Sequence, residues 1–138
     1  MNESPAFPYP VPEDGSEPYW AACNERRLVM QRCRACGLFR WQPAPICVHC
    51  QAGEYDWAPL SGRGRIYSWT LITHPVHPAA VAKVPYVVVE VELDDQPGLR
   101  MIANLLEADP ASIAIDAPVV LCFVQHPAGQ WLPMFRYP

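Results

Sequence analysis

Four of the six cysteines in this 138-residue chain form two C-x-x-C pairs, Cys33-Arg-Ala-Cys36 and Cys47-Val-His-Cys50, with ten residues between them. A two-residue gap lets both thiolates of a pair turn towards one ion. Two such knuckles supply the four soft donors that a tetrahedral Zn²⁺ takes, each about 2.3 Å from the metal. Gly37, just after the first pair, relieves the tight turn. The ten-residue separation is enough for one short hairpin, and shorter than the roughly 15–20 residues common in such fingers. With four cysteine ligands no position is left for water, so the expected ion is structural and not catalytic. It would contribute on the order of 10 kcal/mol to a segment with little core of its own. Iron fits the same tetrathiolate cage, and two redox-active dithiols are the competing reading. His49, inside the second knuckle, reads as a solvated loop residue rather than a replacement ligand. Cys23 and Cys122 stand alone and read as small buried hydrophobes.

Other residues that could do chemistry are less well arranged. Ser61 and Ser68 lack a nucleophile-elbow motif, and His74, His77 and His126 each precede a proline in loops or at strand ends. Nucleophilic catalysis needs a nucleophile, a base and an oxyanion site in mutual geometry, so these histidines read as loop-structuring or partner-contact residues. Glu90 and Glu92 share one strand face and read as solvated, not as an acid–base pair. No phosphate loop or dinucleotide fingerprint is present. The expectation is an absence of catalytic residues and a protein that is not itself an enzyme.

Charge narrows the partners. The net charge is −4, but residues 26–65 carry seven arginines against Glu54 and Asp56, while residues 1–25 carry five acids and no base. A nucleic-acid binder normally presents a basic field, and the barrel segment proposed below has the wrong sign. The arginine-rich middle, with Arg40, Arg63 and Arg65, suits bidentate contacts with phosphate or carboxylate. Hydrophobic residues reach 51% and charged residues only 17%, which suggests uncharged surface available for association. The apolar runs are too short to cross a bilayer, and the N-terminus lacks a basic and an apolar signal region. The cytoplasm is the expected location.

Residues 1–18 hold five prolines and read as an extended arm. A helix is predicted from Ser16 as N-cap to about Arg26, with Tyr19, Trp20 and Cys23 towards one side. Leu28–Gln31 leads as an extended segment into the first knuckle. Gly62-Arg63-Gly64 reads as a turn, and Arg65 to His74 alternates as a strand with Tyr67, Trp69 and Leu71 on one face. Further strands are expected at Tyr86–Leu93, Leu99–Leu106, Pro118–Gln125 and Trp131–Tyr137, the last an edge because Pro133 interrupts it. Asp109 would cap one helical turn between the third and fourth. Five short strands in that order describe an OB-type barrel. The expected fold is therefore mainly β: an arm and helix over 1–30, a metal ribbon over 31–57 and a five-stranded OB-fold over 58–138.

Several stretches taken together resemble a known family. They are Tyr19-Trp20, Leu28 through Gly37, Cys47–Cys50, Leu60-Ser-Gly-Arg-Gly-Arg-Ile-Tyr-Ser-Trp69, His74-Pro-Val-His-Pro78 and Val84-Pro-Tyr86. The chain resembles the rubredoxin-like zinc ribbon plus OB-fold proteins of domain-of-unknown-function family 35, in their stand-alone form. The resemblance implies a non-catalytic accessory subunit. It would dock on a thiolase-superfamily enzyme, whether a thiolase, an acyltransferase or a thiolase-like aldolase of lipid or steroid metabolism, and help form or stabilise its acyl-CoA site. A heteromer with such a partner, or with a lipid-transfer-type thiolase, is implied. Arg40, Arg63, Arg65, Trp69, His74, His77 and Tyr86 are the candidate acyl-CoA or partner contacts. Two departures stand out: no glycine lies between Asn24 and Leu28, which implies a longer helix, and Asp116-Ala117 stands where relatives carry Gly-Met. The alternative is a single-stranded nucleic-acid binder that stacks bases on Tyr67 and Trp69.

Overall fold

The structure is a computed structural model that describes residues 6–138, so the first five residues of the expected arm lie outside the described residues. Helix α1 spans Glu17–Asn24 with Pro18 in its first turn. Ser16 precedes it but does not cap it through its side chain. Its hydroxyl instead donates to the Glu13 carbonyl at 2.9 Å and accepts the Glu13 amide at 3.0 Å, closing a turn ahead of the helix. The helix is no longer for lack of a glycine. Arg26 adopts φ 56°, and the Arg26 and Arg27 amides donate back to the Cys23 and Ala22 carbonyls. This is the Schellman stop that glycine usually provides.

Three strands form the ribbon: β1 (Val29–Cys33), β2 (Phe39–Arg40) and β3 (Tyr55–Pro59). β1 is central, antiparallel to both, with Gln31 opposite Arg40 and Cys33 opposite Tyr55. The remaining strands, β4 (Arg63–Ile72), β5 (Tyr86–Leu93), β6 (Arg100–Leu105), β7 (Pro118–Gln125) and β8 (Trp131–Arg136), close a barrel in the order β4-β5-β6-β8-β7. Val87, Val89, Val91 and Leu93 alternate inward along β5 and meet Ile66, Met101, Leu105, Val119 and Phe135 in the core. Tyr19, Cys23, Leu28 and Met30 belong to the same buried cluster, so helix and ribbon share the barrel's core. Asp109 caps the turn Pro110–Ser112 by accepting the Ala111 amide at 3.0 Å, as expected.

Three strand expectations are corrected. β4 begins at Arg63, and Gly64 is a strand residue rather than part of a turn: a Cβ there would lie 2.5 Å from the Glu92 carbonyl oxygen, so the bare Cα is what lets β5 approach. A β-bulge between Ile66 and Ser68 reverses the alternation. Ile66 therefore points inward with Trp69 and Leu71, while Tyr67 faces out, and the expected common face of Tyr67, Trp69 and Leu71 does not form. Finally, β8 is not an edge. It pairs along its whole length with β7 and meets β6 in parallel at Leu105–Phe135. Pro133 lies in the stretch without a β6 partner, where its missing N–H costs no ladder bond.

Candidate metal centre and the surfaces around it

The two knuckles bring their thiols together from opposite sides of the ribbon. Cys33 ends β1, Cys36 follows in the turn to β2, and Cys47 and Cys50 come from the loop before β3. The Cys33 and Cys50 Sγ atoms are 3.6 Å apart, those of Cys36 and Cys47 3.7 Å, and all four lie within 4.8 Å of one another. A tetrahedron with metal–sulfur bonds of about 2.3 Å has edges of about 3.8 Å. The donor set therefore fits one tetrahedrally bound soft metal ion.

Each knuckle is closed by its own backbone. The Gly37 amide donates to the Cys33 carbonyl and the Gln51 amide to the Cys47 carbonyl, both at 2.9 Å. The residue after each second cysteine is left-handed: Gly37 at φ 75° and, without glycine, Gln51 at φ 66°. The Cys50 amide chiefly, joined by that of His49 and opposed by burial, lowers the Cys47 thiol to about 6 from about 9. A thiolate at that position is available to a metal near neutral pH. His49 itself is exposed and contributes its amide, at 3.4 Å from Cys47 Sγ.

The candidate contact residues do not form one cluster. Arg40 is 3% exposed: its Nε donates to Gln31 Oε1 at 2.7 Å and one Nη to the Ala44 carbonyl at 2.8 Å, with the guanidinium 4.7 Å from the centre of the Tyr55 ring. Arg63 and Arg65 lie exposed at the start of β4, and Arg65 donates to the Asp116 carbonyl. Trp69 packs half-buried against the core. His74 is exposed in the loop after β4, and His77 caps the turn Pro78–Ala80 by accepting the Ala79 amide at 3.1 Å. Tyr86 opens β5 opposite Ile72. With about 3.3 Å of rise per residue, the two arginines and the His74–Tyr86 group lie roughly 30 Å apart along β4. Of the lone cysteines, Cys23 is buried as expected and Cys122 is only half-buried.

Three polar residues matter more than their positions in the sequence suggested. Gln31, 1% exposed, accepts from both Arg40 and the Ala44 amide and organises the loop leading to the second knuckle. Gln96, in the β5–β6 turn, accepts the Phe39 amide at 2.8 Å and donates to the Phe39 carbonyl at 3.0 Å, so it pairs with β2 as another strand would. His126 is buried at the β7–β8 turn. A lone amide or histidine in an apolar stretch carries no periodic signal, so only the partner's position exposes the role.

Ahead of Leu105–Phe135 the β6 and β8 strands part, leaving a groove. A cavity of about 870 Å³ opens at its Lys83–Tyr86–His126 end, and one of about 420 Å³ lies between Trp20, Trp41, Glu90 and Arg100. Ile102, Ala103, Asn104, Leu132 and Met134 wall both. Among the described residues no helix is long and apolar enough to cross a membrane.

Two family profiles match in register with these units: "ChsH2, rubredoxin-like zinc ribbon domain" over residues 20–56 and "ChsH2, C-terminal OB-fold domain" over residues 57–124. A probable enoyl-CoA hydratase alpha subunit of Thermomonospora curvata is 41% identical over 86% of this chain and 36% of its own length. The chain thus spans only about a third of that relative. A DUF35 domain-containing scaffold protein of Methanothermobacter thermautotrophicus is 33% identical, covering 75% of this chain and 77% of that protein. A benzoylsuccinyl-CoA thiolase subunit, BbsA, of Thauera aromatica is 32% identical, with coverages of 80% and 67%. Among solved structures, a chain of the "Ltp2-ChsH2(DUF35) aldolase" superposes with a TM-score of 0.83 at 38% identity, over 94% of this chain and 98% of that one. With both units, their order and the four clustered cysteines in place, the chain belongs to the DUF35 family of rubredoxin-like ribbon and OB-fold proteins.

Proposed function

We propose that this chain is a non-catalytic accessory subunit that docks on a thiolase-superfamily enzyme and helps form or stabilise its acyl-CoA site. The observation that carries this reading is the near end-to-end likeness to the DUF35 chain of an aldolase, supported by the relative named as a thiolase subunit. The side chains support it too. Ser61 Oγ donates to Asp95 on the β5–β6 turn, and His77 and His126 each accept a backbone amide two residues on at Nδ1, so these groups are engaged in holding turns and loops. Leu38, Ile46 and Val48 on the ribbon and Val76 and Val81 after β4 are exposed apolar residues, as a docking surface requires. Arg63 and Arg65 are exposed on one face of β4 and are the proposed contacts to CoA phosphates. Cys33, Cys36, Cys47 and Cys50 would hold a structural Zn²⁺, which supplies fold stability and no reaction chemistry. A cytoplasmic complex is the setting this reading implies.

The stacking platform of the nucleic-acid reading finds no support. Tyr67 lies under the Arg100 guanidinium at 3.6 Å, and Trp69 turns inward across the bulge.

The test is affinity capture of the tagged chain from its native cell, with nuclease treatment and metal analysis. The expected result is a near-stoichiometric thiolase-like protein together with one equivalent of zinc. A Cys47→Ser chain should lose both, and joint Arg63→Glu and Arg65→Glu substitution should slow turnover of the complex at limiting thioester. Full association by a metal-free Cys47→Ser chain would refute the structural role of the ion. Partners that disappear with nuclease would replace the accessory-subunit reading.

A further inference from the structure

The first described residues cross the wide end of the β6–β8 groove, and independent contacts hold them there. His126, 7% exposed, accepts the Ala128 amide at Nδ1 (3.0 Å), which leaves its hydrogen on Nε2. Nε2–H donates to the Phe7 carbonyl at 2.7 Å. The Tyr9 ring lies 4.7 Å from the His126 ring. The Lys83 ammonium sits 5.0 Å from the centre of the Phe7 ring, with His77 edge-on at 6.5 Å. Phe7 is half-buried and forms part of the wall of the 870 Å³ cavity.

We propose that this end of the groove is a recognition cleft for an extended aromatic–proline segment, and that Ala6–Pro10 of the chain itself are its resident, displaceable ligand, with Phe7 as the plug. The segment reads Ala-Phe-Pro-Tyr-Pro. Pro8 and Pro10 hold it extended and have no N–H to satisfy, so a carbonyl acceptor and two rings are what it offers. The cleft supplies the matching groups. His126 presents one buried donor that needs an acceptor, Lys83 presents a cation for a ring face, and Leu71, Tyr86, Leu132 and Met134 line the same cavity as Phe7.

The hold is reversible by construction. Phe7 and Tyr9 lie outside the buried core cluster, and among the described residues Ala6–Pro10 are held by the His126 hydrogen bond and a few ring contacts, which places them at the low-stability end of the molecule. Six residues separate Pro10 from α1, and a tether that short gives an effective concentration on the order of millimolar. A separate copy of the segment therefore competes only as its own concentration reaches the millimolar range, and an intrinsic dissociation constant of about 0.1 mM makes the tethered copy weaken its binding about tenfold. When Phe7 leaves, the apolar cavity opens.

The test uses the full chain and a synthetic peptide of residues 6–12, titrated to several millimolar and followed by NMR at the His126 ring nitrogens. The Phe7→Ala chain should bind the peptide at least tenfold more tightly than the wild type, because the plug no longer competes. It should also enhance the fluorescence of an apolar dye severalfold. A peptide with alanine at the Phe7 position should bind neither chain, and Lys83→Ala in the Phe7→Ala background should weaken binding about threefold. Equal peptide affinity for wild type and Phe7→Ala, or no binding to Phe7→Ala, overturns the proposal. Unchanged dye fluorescence overturns the plug. None of these readouts depends on a thiolase-like partner.

Discussion

Cys23 shows how far burial alone can alter a residue. It lies fully buried beneath α1 beside Tyr19, and desolvation raises its thiol to about 12, only partly offset by a hydrogen bond with Tyr19. Burial raises the Tyr19 hydroxyl as well. In the unfolded chain the thiol ionises near 9, so between there and about 12 the native state binds more protons than the unfolded one, and stability falls as pH rises. Cys23→Ala removes that slope. Denaturant unfolding should show the stability advantage of the wild type over Cys23→Ala shrinking by about 1 kcal/mol between pH 8 and pH 10. A constant gap would mean that the thiol ionises within the fold. Arg26 and Asp116 teach a different lesson at this scale. At φ 56° and 65° they hold left-handed turns without glycine, so the backbone shape forms without the residue that usually signals it.

At the scale of elements, β4 governs how the barrel is presented. Gly64 lets β5 pass within contact of its backbone, and the bulge at Tyr67 then shifts the strand so that Ile66 and Trp69 both reach the core. Gly64→Ala should cost about 1–3 kcal/mol, because the new methyl group meets the Glu92 backbone and a core valine, neither of which can yield cheaply. Thermal and denaturant melts check this, and a change under 0.5 kcal/mol, on the order of an innocuous surface substitution, would mean that β5 slides. The parting of β6 and β8 has the opposite character. Pro133 removes a donor where a β6 partner would sit, and the resulting gap becomes the groove.

Across the whole molecule, the ribbon is tied to the barrel by a few directional bonds as well as by the shared core. Gln96 pairs with both backbone groups of Phe39, and Asn24 with Gln130 fastens the end of α1 to the β7–β8 hairpin, where Asn24 Oδ1 also accepts the Trp131 amide. Gln96→Ala should leave the barrel intact and loosen β2. The Phe39 amide should exchange with solvent about five- to tenfold faster, in keeping with roughly 1 kcal/mol for bonds exposed to water on one side, while the Val89 amide keeps its protection. Equal acceleration at both amides would show that ribbon and barrel open as one unit.

The gathering of Cys33, Cys36, Cys47 and Cys50, the ribbon-then-barrel order and the inward face of β5 were legible in the amino-acid sequence. Each depends on local spacing: two residues between thiols, alternation along a strand, a proline or aspartate at a turn. Tertiary structure decided the rest. The bulge that turns Tyr67 outward, the seating of β8 between β6 and β7, the burial of Arg40 against Gln31 and the capture of Phe7 by His126 all depend on partners 9 to 119 residues away in sequence. Such pairings leave no periodic trace in a single sequence, because the energy that selects them arises only once the chain has closed on itself.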